Sequence, residues 1–436
     1  MTPTSSGVRL DHAISKISDP KGEGARACLT LYMESARAAA AAADKRARDG
    51  ISLGPLDGKV ITIKDLFDVA GEVTRAGSKI LADEGKPAAA DAPIVTRLRR
   101  AGTVIVAKTN MVEFAFSAIG ANPHYGTPGN PADRARVPGG STSGGAVAVA
   151  DGMCELTIGS DTGGSTRIPA ALCGITGFKP SRQRVPTEGA FPLSVTLDSV
   201  GPMARNVNDC ADADAIMAGE EPQPLHPASL GAIRLGVAQG FPLSGLDATV
   251  SERFSSAIAA FGKAGLALRD EKIPLIDEMA ALVATGWLPP PEGLSIHQDR
   301  LKRRPQDFDP NIRVRLERAA QMPAAHYIST LRERGRLIQA MHERLADLDG
   351  VLMPTTPIVA PTIAEVAEPS VFTEKNLLLL RNTAIANCFD LCAITLPIPG
   401  NGLPVGLMIV SRNGDDRKLL RIAATLEAVL NNRPAI

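Results

Sequence analysis

Two clusters of glycines and hydroxyls carry the chemistry this chain can offer: "PGGSTSGGAVAVADG" at 138–152 and "GSDTGGSTRIPA" at 159–170. The second places Asp161, Thr162, Gly163, Gly164 and Ser165 just past a short apolar run, with no histidine nearby. Glycines at 139, 140, 144, 145, 163 and 164 let the backbone come close to another group and present bare N–H donors, which attract developing negative charge. A serine among such donors is well set for nucleophilic attack, but it needs a base.

Familiar templates do not supply one. Neither GxxxxGK[ST] nor GxGxxG occurs, so a phosphate or dinucleotide cradle has little support. Asp161-Thr162-Gly163 has no second Asp-Thr-Gly or Asp-Ser-Gly, and aspartic-protease chemistry requires two carboxylates sharing a proton. The GxSxG elbow is missing around Ser165. His12, His124, His226, His297, His326 and His342 form no HExxH or other metal spacing. A lysine remains, because its neutral amine is a competent base once burial lowers its pKa from about 10.4. "VITIKDLFDV" places Lys64 directly after four β-branched residues, at the end of an expected strand. Lys108 in "VIVAKTN" is the nearest rival, and spacing favours Lys64 without excluding it.

The elements that must position these groups read as alternating strands and helices. "GKVITIKD", "TVIVAKTN", "ELTIGSD", "AIRLGVAQ", "GVLMPTTP" and "CAITLPIP" are expected strands. "TVSERFSSAIAAFGKAG" and "DRKLLRIAATLEAVL" are expected helices. Residues 25–49 read as one alanine-rich helix stopped by Gly50. "DAPIVTRLRRAG" reads as another, with Asp91 as its cap, Pro93 in its first turn and Gly102 past its end. Strand, helix and strand at this spacing imply crossover units and a sheet covered on both faces. The chain is expected to form one large α/β domain over 51–436, with a helical segment 1–50 packed on it. Prolines and charges break the pattern at 286–310, which is expected to be a surface excursion bordering the substrate entrance. No internal repeat appears.

Composition narrows the classes. Among 436 residues, 47 basic side chains balance 47 acidic ones, which suggests no nucleic acid or other polyelectrolyte partner. No basic-then-apolar leader and no run of about 18 apolar residues occurs, so a cytoplasmic protein with no membrane partner is expected. Cys28, Cys154, Cys173, Cys210, Cys388 and Cys392 lack CxxC spacing, which argues for buried thiols over a disulfide framework or structural zinc. Aromatic residues make up only 3%. That weighs against a stacking surface and toward a compact, polar substrate.

"KVITIKD", "PGGSTSGGAVAVADG" and "IGSDTGGSTRIPAALCGITGFKP" resemble the three diagnostic segments of the amidase signature family, and similarity continues through "AKTNMVEFAF", "HYGTPGNP", "TLDSVGPMARNV", "VLMPTTP" and "GLPVGLMIV". The resemblance implies a mixed, twisted β-sheet covered by helices. It also implies a Ser-Ser-Lys triad: Ser165 as acylated nucleophile, Ser141 as bridging serine after a cis Gly140–Ser141 bond, and Lys64 as base, which decides against Lys108. The backbone amides of Thr162, Gly163, Gly164 and Ser165 match the oxyanion hole. Arg167 matches an arginine usual after the nucleophile, and an ion pair with Asp161 is preferred to a substrate contact. Thr142, Gly145 and Thr166 depart from the usual residues and leave the supporting hydrogen bonds open.

The resemblance therefore implies an amidohydrolase that cleaves the C–N bond of a small carboxamide through an acyl-enzyme, with no cofactor or metal, in a family where homodimers are common. Pocket residues are expected from the segment after Asn110, from 286–310 and from 385–404. A glutaminase-type subunit of a tRNA-dependent amidotransferase is the second reading. "SRQRVPTEG" after "GFKP", in place of a Tyr-Gly-Arg-Val-Ser type segment, and the shorter chain weigh against it. The third is a catalytically silent binding protein, opposed by the joint retention of Lys64, Ser141 and Ser165.

Overall fold

The computed structural model describes residues 5–432. Eleven strands are β1 Cys28–Leu31, β2 Val60–Lys64, β3 Val104–Thr109, β4 Leu156–Ser160, β5 Thr176–Lys179, β6 Val200–Ala204, β7 Leu235–Gln239, β8 Leu268–Lys272, β9 Gly350–Pro354, β10 Cys392–Ile398 and β11 Val405–Ser411. They form one sheet in the order β1-β3-β2-β4-β6-β5-β10-β11-β9-β7-β8. The sheet is mixed: β3, β2 and β4 run parallel, as do β9, β7 and β8, while β5, β6, β10 and β11 join them through antiparallel pairs.

Successive side chains of a strand point to opposite faces, and the core divides accordingly. Ile61, Ile63, Ile394, Leu396, Leu407 and Ile409 join a core with helices Pro93–Arg100, Val207–Ala218, Ala248–Lys263 and Asp416–Leu430. On the other face, Val60, Val104 and Val106 pack with helices Ser6–Ile17, Met33–Arg48 and Ser143–Ala150. Met408 and Val410 pack there with helices Ala324–Arg344 and Pro369–Cys388. Strands buried on both faces explain the near-continuous apolar runs.

Three local readings are corrected. The expected single helix over 25–49 is interrupted: after a one-turn helix Gly24–Ala27, Cys28–Leu31 is extended and pairs antiparallel with β3, and the long helix starts at Met33. An otherwise open sheet edge captures this segment, and the ladder outweighs alanine's helix preference next door. Asp91 does not cap helix Pro93–Arg100, whose N-cap is Ala92. Its carboxylate instead accepts from the Ala70 amide and from Arg99 Nε, both at 2.9 Å. The irregular excursion at 286–310 is mostly helix Pro289–Arg303. Its three prolines stand in the first turn, where amide donors have no intrahelical partner to lose. One face of that helix is buried: Glu292 accepts from Ser194 Oγ (2.6 Å), Thr196 Oγ1 (2.7 Å) and Tyr327 Oη (2.9 Å).

Among the described residues no helix is long and apolar enough to cross a membrane, and no group of three or more His, Cys, Asp or Glu residues is placed to hold a metal ion. The six cysteines are free and buried.

Helix Ser143–Ala150 begins against neighbouring backbone: a Cβ on Gly144 would press on the Ala27 carbonyl and lie 2.7 Å from the Asn110 amide nitrogen. Helix propensity alone favours alanine there by about 1 kcal/mol, whereas forced overpacking costs about 1–3 kcal/mol. Gly144→Ala is therefore expected to lower the thermal unfolding temperature. A rise would show that this contact is soft.

Candidate active site

Lys64 ends β2 and Ser160 ends β4, at the carboxyl edge of parallel strands where α/β folds gather ligand groups. Lys64 is fully buried, and its Nζ donates to Ser141 Oγ at 2.7 Å and Ser160 Oγ at 2.9 Å. Burial pushes its pKa from 10.5 down to about 7, against the opposing charges of Asp198 and Asp161. A large share of such amines is neutral at neutral pH. Lys108 pairs in register with Ile63, not Lys64, so its side chain leaves the sheet on the other side. There its Nζ lies 3.6 Å from Asp65 Oδ1.

Ser141 is reached through a cis Gly140–Ser141 bond. Its loop is pinned by backbone bonds from Gly140 N to Ala118 O (2.7 Å) and from Val112 N to Ser141 O (3.1 Å). A side chain on Gly140 would meet Ser117 O at 2.7 Å and Gly120 N at 2.8 Å, which excludes any larger residue. The amide of Thr142 donates to Ser165 O at 3.3 Å, bringing the two glycine-hydroxyl clusters side by side. Ser165 itself is only 5% exposed.

The loop carrying Ser165 is organised by one buried ion pair. Asp161 accepts from Arg167 Nη2 (2.8 Å) and Nε (3.1 Å), from Thr166 N (3.2 Å) and Oγ1 (2.9 Å), and from Asn387 Nδ2 (2.9 Å). Burial would raise this carboxyl, but Arg167 and the accepted hydrogen bonds hold it well below the usual carboxylate range. Arg167 also donates to Thr383 O (2.9 Å) and Asn387 Oδ1 (2.7 Å), and neither member of the ion pair is exposed. Arg167 is thus an anchor of this loop. Gly164 adopts φ +140°, and a Cβ there would press on Thr383 Oγ1 and lie 2.6 Å from Ile168 Cδ1. The amides of Thr162, Gly163, Gly164 and Ser165 find no acceptor among the described residues. They are a ready set of donors for an anionic oxygen.

The residues that depart from the familiar pattern compensate one another. Thr166 supplies two of Asp161's hydrogen bonds. A Cβ on Gly145 would sit 2.8 Å from Thr157 Oγ1 and 3.1 Å from Thr142 Cγ2, so the small residue makes room for the larger Thr142.

A cavity of about 440 Å³ opens beside Ser160 and Thr162, walled chiefly by residues 182–200. Asp198 lines it, accepting from Thr162 Oγ1 (2.5 Å), Leu193 N (2.9 Å) and Ser194 N (3.0 Å). Burial raises the Asp198 carboxyl, with these bonds opposing it. Of the segments expected to form the pocket, the one after Asn110 contributes Ala115. The 385–404 loops do not line this cavity, and helix Pro289–Arg303 stands behind it, holding Ser194 and Thr196 through Glu292. Ser160, Arg182 and Asp198 were not legible as site residues. Asp198 and Ser160 lie inside recognised segments, but only their side-chain partners single them out.

Comparison with known proteins places this geometry. A family model described as amidase matches residues 18–420. The 2-amino-5-chloromuconic acid deaminase of Comamonas testosteroni is 34% identical over 410 residues, spanning 92% of this chain and 88% of that protein. A glutamyl-tRNA(Gln) amidotransferase subunit of Chloroflexus aggregans is 33% identical over 447 residues, spanning 93% and 89%. A crystal structure of an amidase superposes with a TM-score of 0.85 at 33% identity, spanning 98% of this chain and 96% of the other. The chain belongs to the amidase family. As in that amidase structure, one α/β domain with a large mixed sheet flanked by helices carries the whole match.

Removing one member of a buried ion pair leaves the other charge uncompensated, at a cost of about 3–5 kcal/mol. Arg167→Ala is expected to destabilise this amidase-family chain by that amount in chemical denaturation. A loss near zero would mean that Asp161 is adequately held by Thr166 and Asn387 alone.

Proposed function

We propose that this protein is an amidohydrolase that cleaves the C–N bond of a small carboxamide through an acyl-enzyme on Ser165. The observation that carries the reading is the fully buried Lys64 amine, lowered to about 7 and 2.7 Å from Ser141 Oγ. A neutral amine can accept along the same line on which it donates. It takes the Ser141 proton as Ser141 takes the proton of Ser165, and Ser165 Oγ adds to the amide carbon. The oxygen of the tetrahedral adduct meets the amides of Thr162, Gly163, Gly164 and Ser165. One such donor typically contributes about 2.7–4 kcal/mol to the transition state. On collapse, the proton held at Lys64 returns through Ser141 to the departing nitrogen, and ammonia or an amine leaves. Water then enters by the same relay in reverse and frees the acid. In this scheme Ser160 holds the amine from its second side, and Asp161 and Arg167 hold the donor loop.

The same site would also serve a subunit that releases ammonia for a partner, and the likeness to an amidotransferase subunit keeps that second reading in view. Co-purification of a second subunit from the native source would favour it over a free-standing amidohydrolase. A binding protein without turnover is disfavoured by the poised amine.

Ser165→Ala is expected to lower ammonia release by roughly 10⁴-fold or more while circular dichroism and melting temperature stay unchanged. Retained turnover would remove the acyl-enzyme from the scheme. Protonated Lys64 cannot act as base, so kcat/KM should fall about tenfold per pH unit below about 7 and level off above it. That limb should disappear from whatever activity Lys64→Ala retains. A wild-type profile that is flat from pH 5 to 9 would overturn the role given to Lys64.

A further inference from the structure

Arg182 lines the cavity beside Ser160 and Thr162 and has no acidic partner among the described residues. A guanidinium carries five N–H donors. One of these, on Nη2, donates to Val195 O at 2.7 Å, and Nε is buried without any acceptor. Two residues along, Arg184 is fully answered by Asp214 and Glu220 at 2.7–2.8 Å. The cavity's own acids do not answer Arg182. Asp198 has both oxygens engaged by Thr162, Leu193 and Ser194, and Glu188 is exposed and forms no pair with it. Arg334 adds positive potential nearby: it donates to the carbonyls of Cys388 (3.0 Å) and Asn387 (3.1 Å), and burial most of all, with the charge of Arg182 acting in the same direction, holds it below its ordinary value. Apart from the Nη2 donor on Val195 O, the terminal N–H groups of Arg182 have no acceptor among the described residues, and a planar fork of free donors is the natural counterpart of a carboxylate.

We propose that the substrate bears a free carboxylate received by Arg182, so that the amide hydrolysed is one arm of a short acid amide. This rests on the amidohydrolase reading above and names its substrate class. The cavity's 440 Å³ falls within the range of small-molecule sites. Its lining holds Ser160 and Thr162 from the segment that leads to Ser165, together with Arg182, and Ser165 itself stands just outside that lining. A scissile carboxamide at one end and a carboxylate a few carbon atoms away at the other would use both.

The test compares ammonia release from succinamic acid with succinamide, and from glutaramic acid with glutaramide, in wild type and Arg182→Gln. Glutamine retains a donor for the Val195 carbonyl and removes the charge. Calorimetric binding of succinate and glutarate is measured alongside. Wild type should favour the acid member of each pair by at least about tenfold in kcat/KM. Arg182→Gln should lose roughly 10²-fold on the acid amides, change by less than about threefold on the neutral ones, and lose dicarboxylate binding. Equal losses on both members, or no loss on either, would make Arg182 a structural residue and overturn the proposal. So would neutral amides hydrolysed through Ser165 with no dicarboxylate binding to wild type, an outcome that leaves the amidohydrolase reading standing. Dicarboxylate binding that depends on Arg182, with no ammonia from any amide, would instead overturn the amidohydrolase reading and retain the anion site.

Discussion

An amine kept out of water governs this site. Lys64 has its whole side chain inside the protein, and the lost hydration brings its pKa to about 7. Everything around it serves that condition. β3 and β4 flank its strand in parallel, helix Ser143–Ala150 closes the face above it, and the hydroxyls of Ser141 and Ser160 give its nitrogen polar partners that carry no charge. A carboxylate in place of either hydroxyl would favour the ammonium form of Lys64. The nearest acids, Asp161 and Asp198, are instead saturated with their own donors.

Asp161 and Arg167 do for the donor loop what burial does for the lysine. Their pair joins four segments: the loop after β4, the turn at Thr166, helix Pro369–Cys388 through Thr383 and Asn387, and β11 through Met408. A buried pair of this kind adds little net stability over well-packed apolar groups. It does add direction, because every oxygen and N–H has a designated partner. That direction fixes where four backbone amides point, and a site that stabilises a transient oxygen charge depends on donors already in place.

Much of this was legible before folding. The glycine-hydroxyl clusters, the apolar run ahead of Lys64 and the absence of a usable histidine converge on a serine with a lysine base, and the strands bearing these groups were recognisable from unbroken apolar runs. Local order failed where a distant segment decided the outcome. Cys28–Leu31 became a strand because β3 offered a free edge. The proline-rich 289–291 segment starts a helix because proline loses nothing in a first turn. The pocket wall at 182–200 went unseen because its side chains are ordinary until a cavity forms beside them.

Residue type and near-neighbour order by themselves determined the reactive inventory: which hydroxyls could attack, which amides could be bare, and that a lysine was the plausible substitute for an absent histidine base. The tertiary structure separates Lys64 from Lys108, since strand register sends one toward Ser141 and the other toward Asp65. It pairs Arg167 with Asp161, as the sequence led us to expect, and it alone decided that Arg182 lines the cavity without an acid. The physical reason is the same in each case. Desolvation, register and charge compensation are properties of segments that meet across long stretches of chain, and no local pattern encodes whom a side chain will meet.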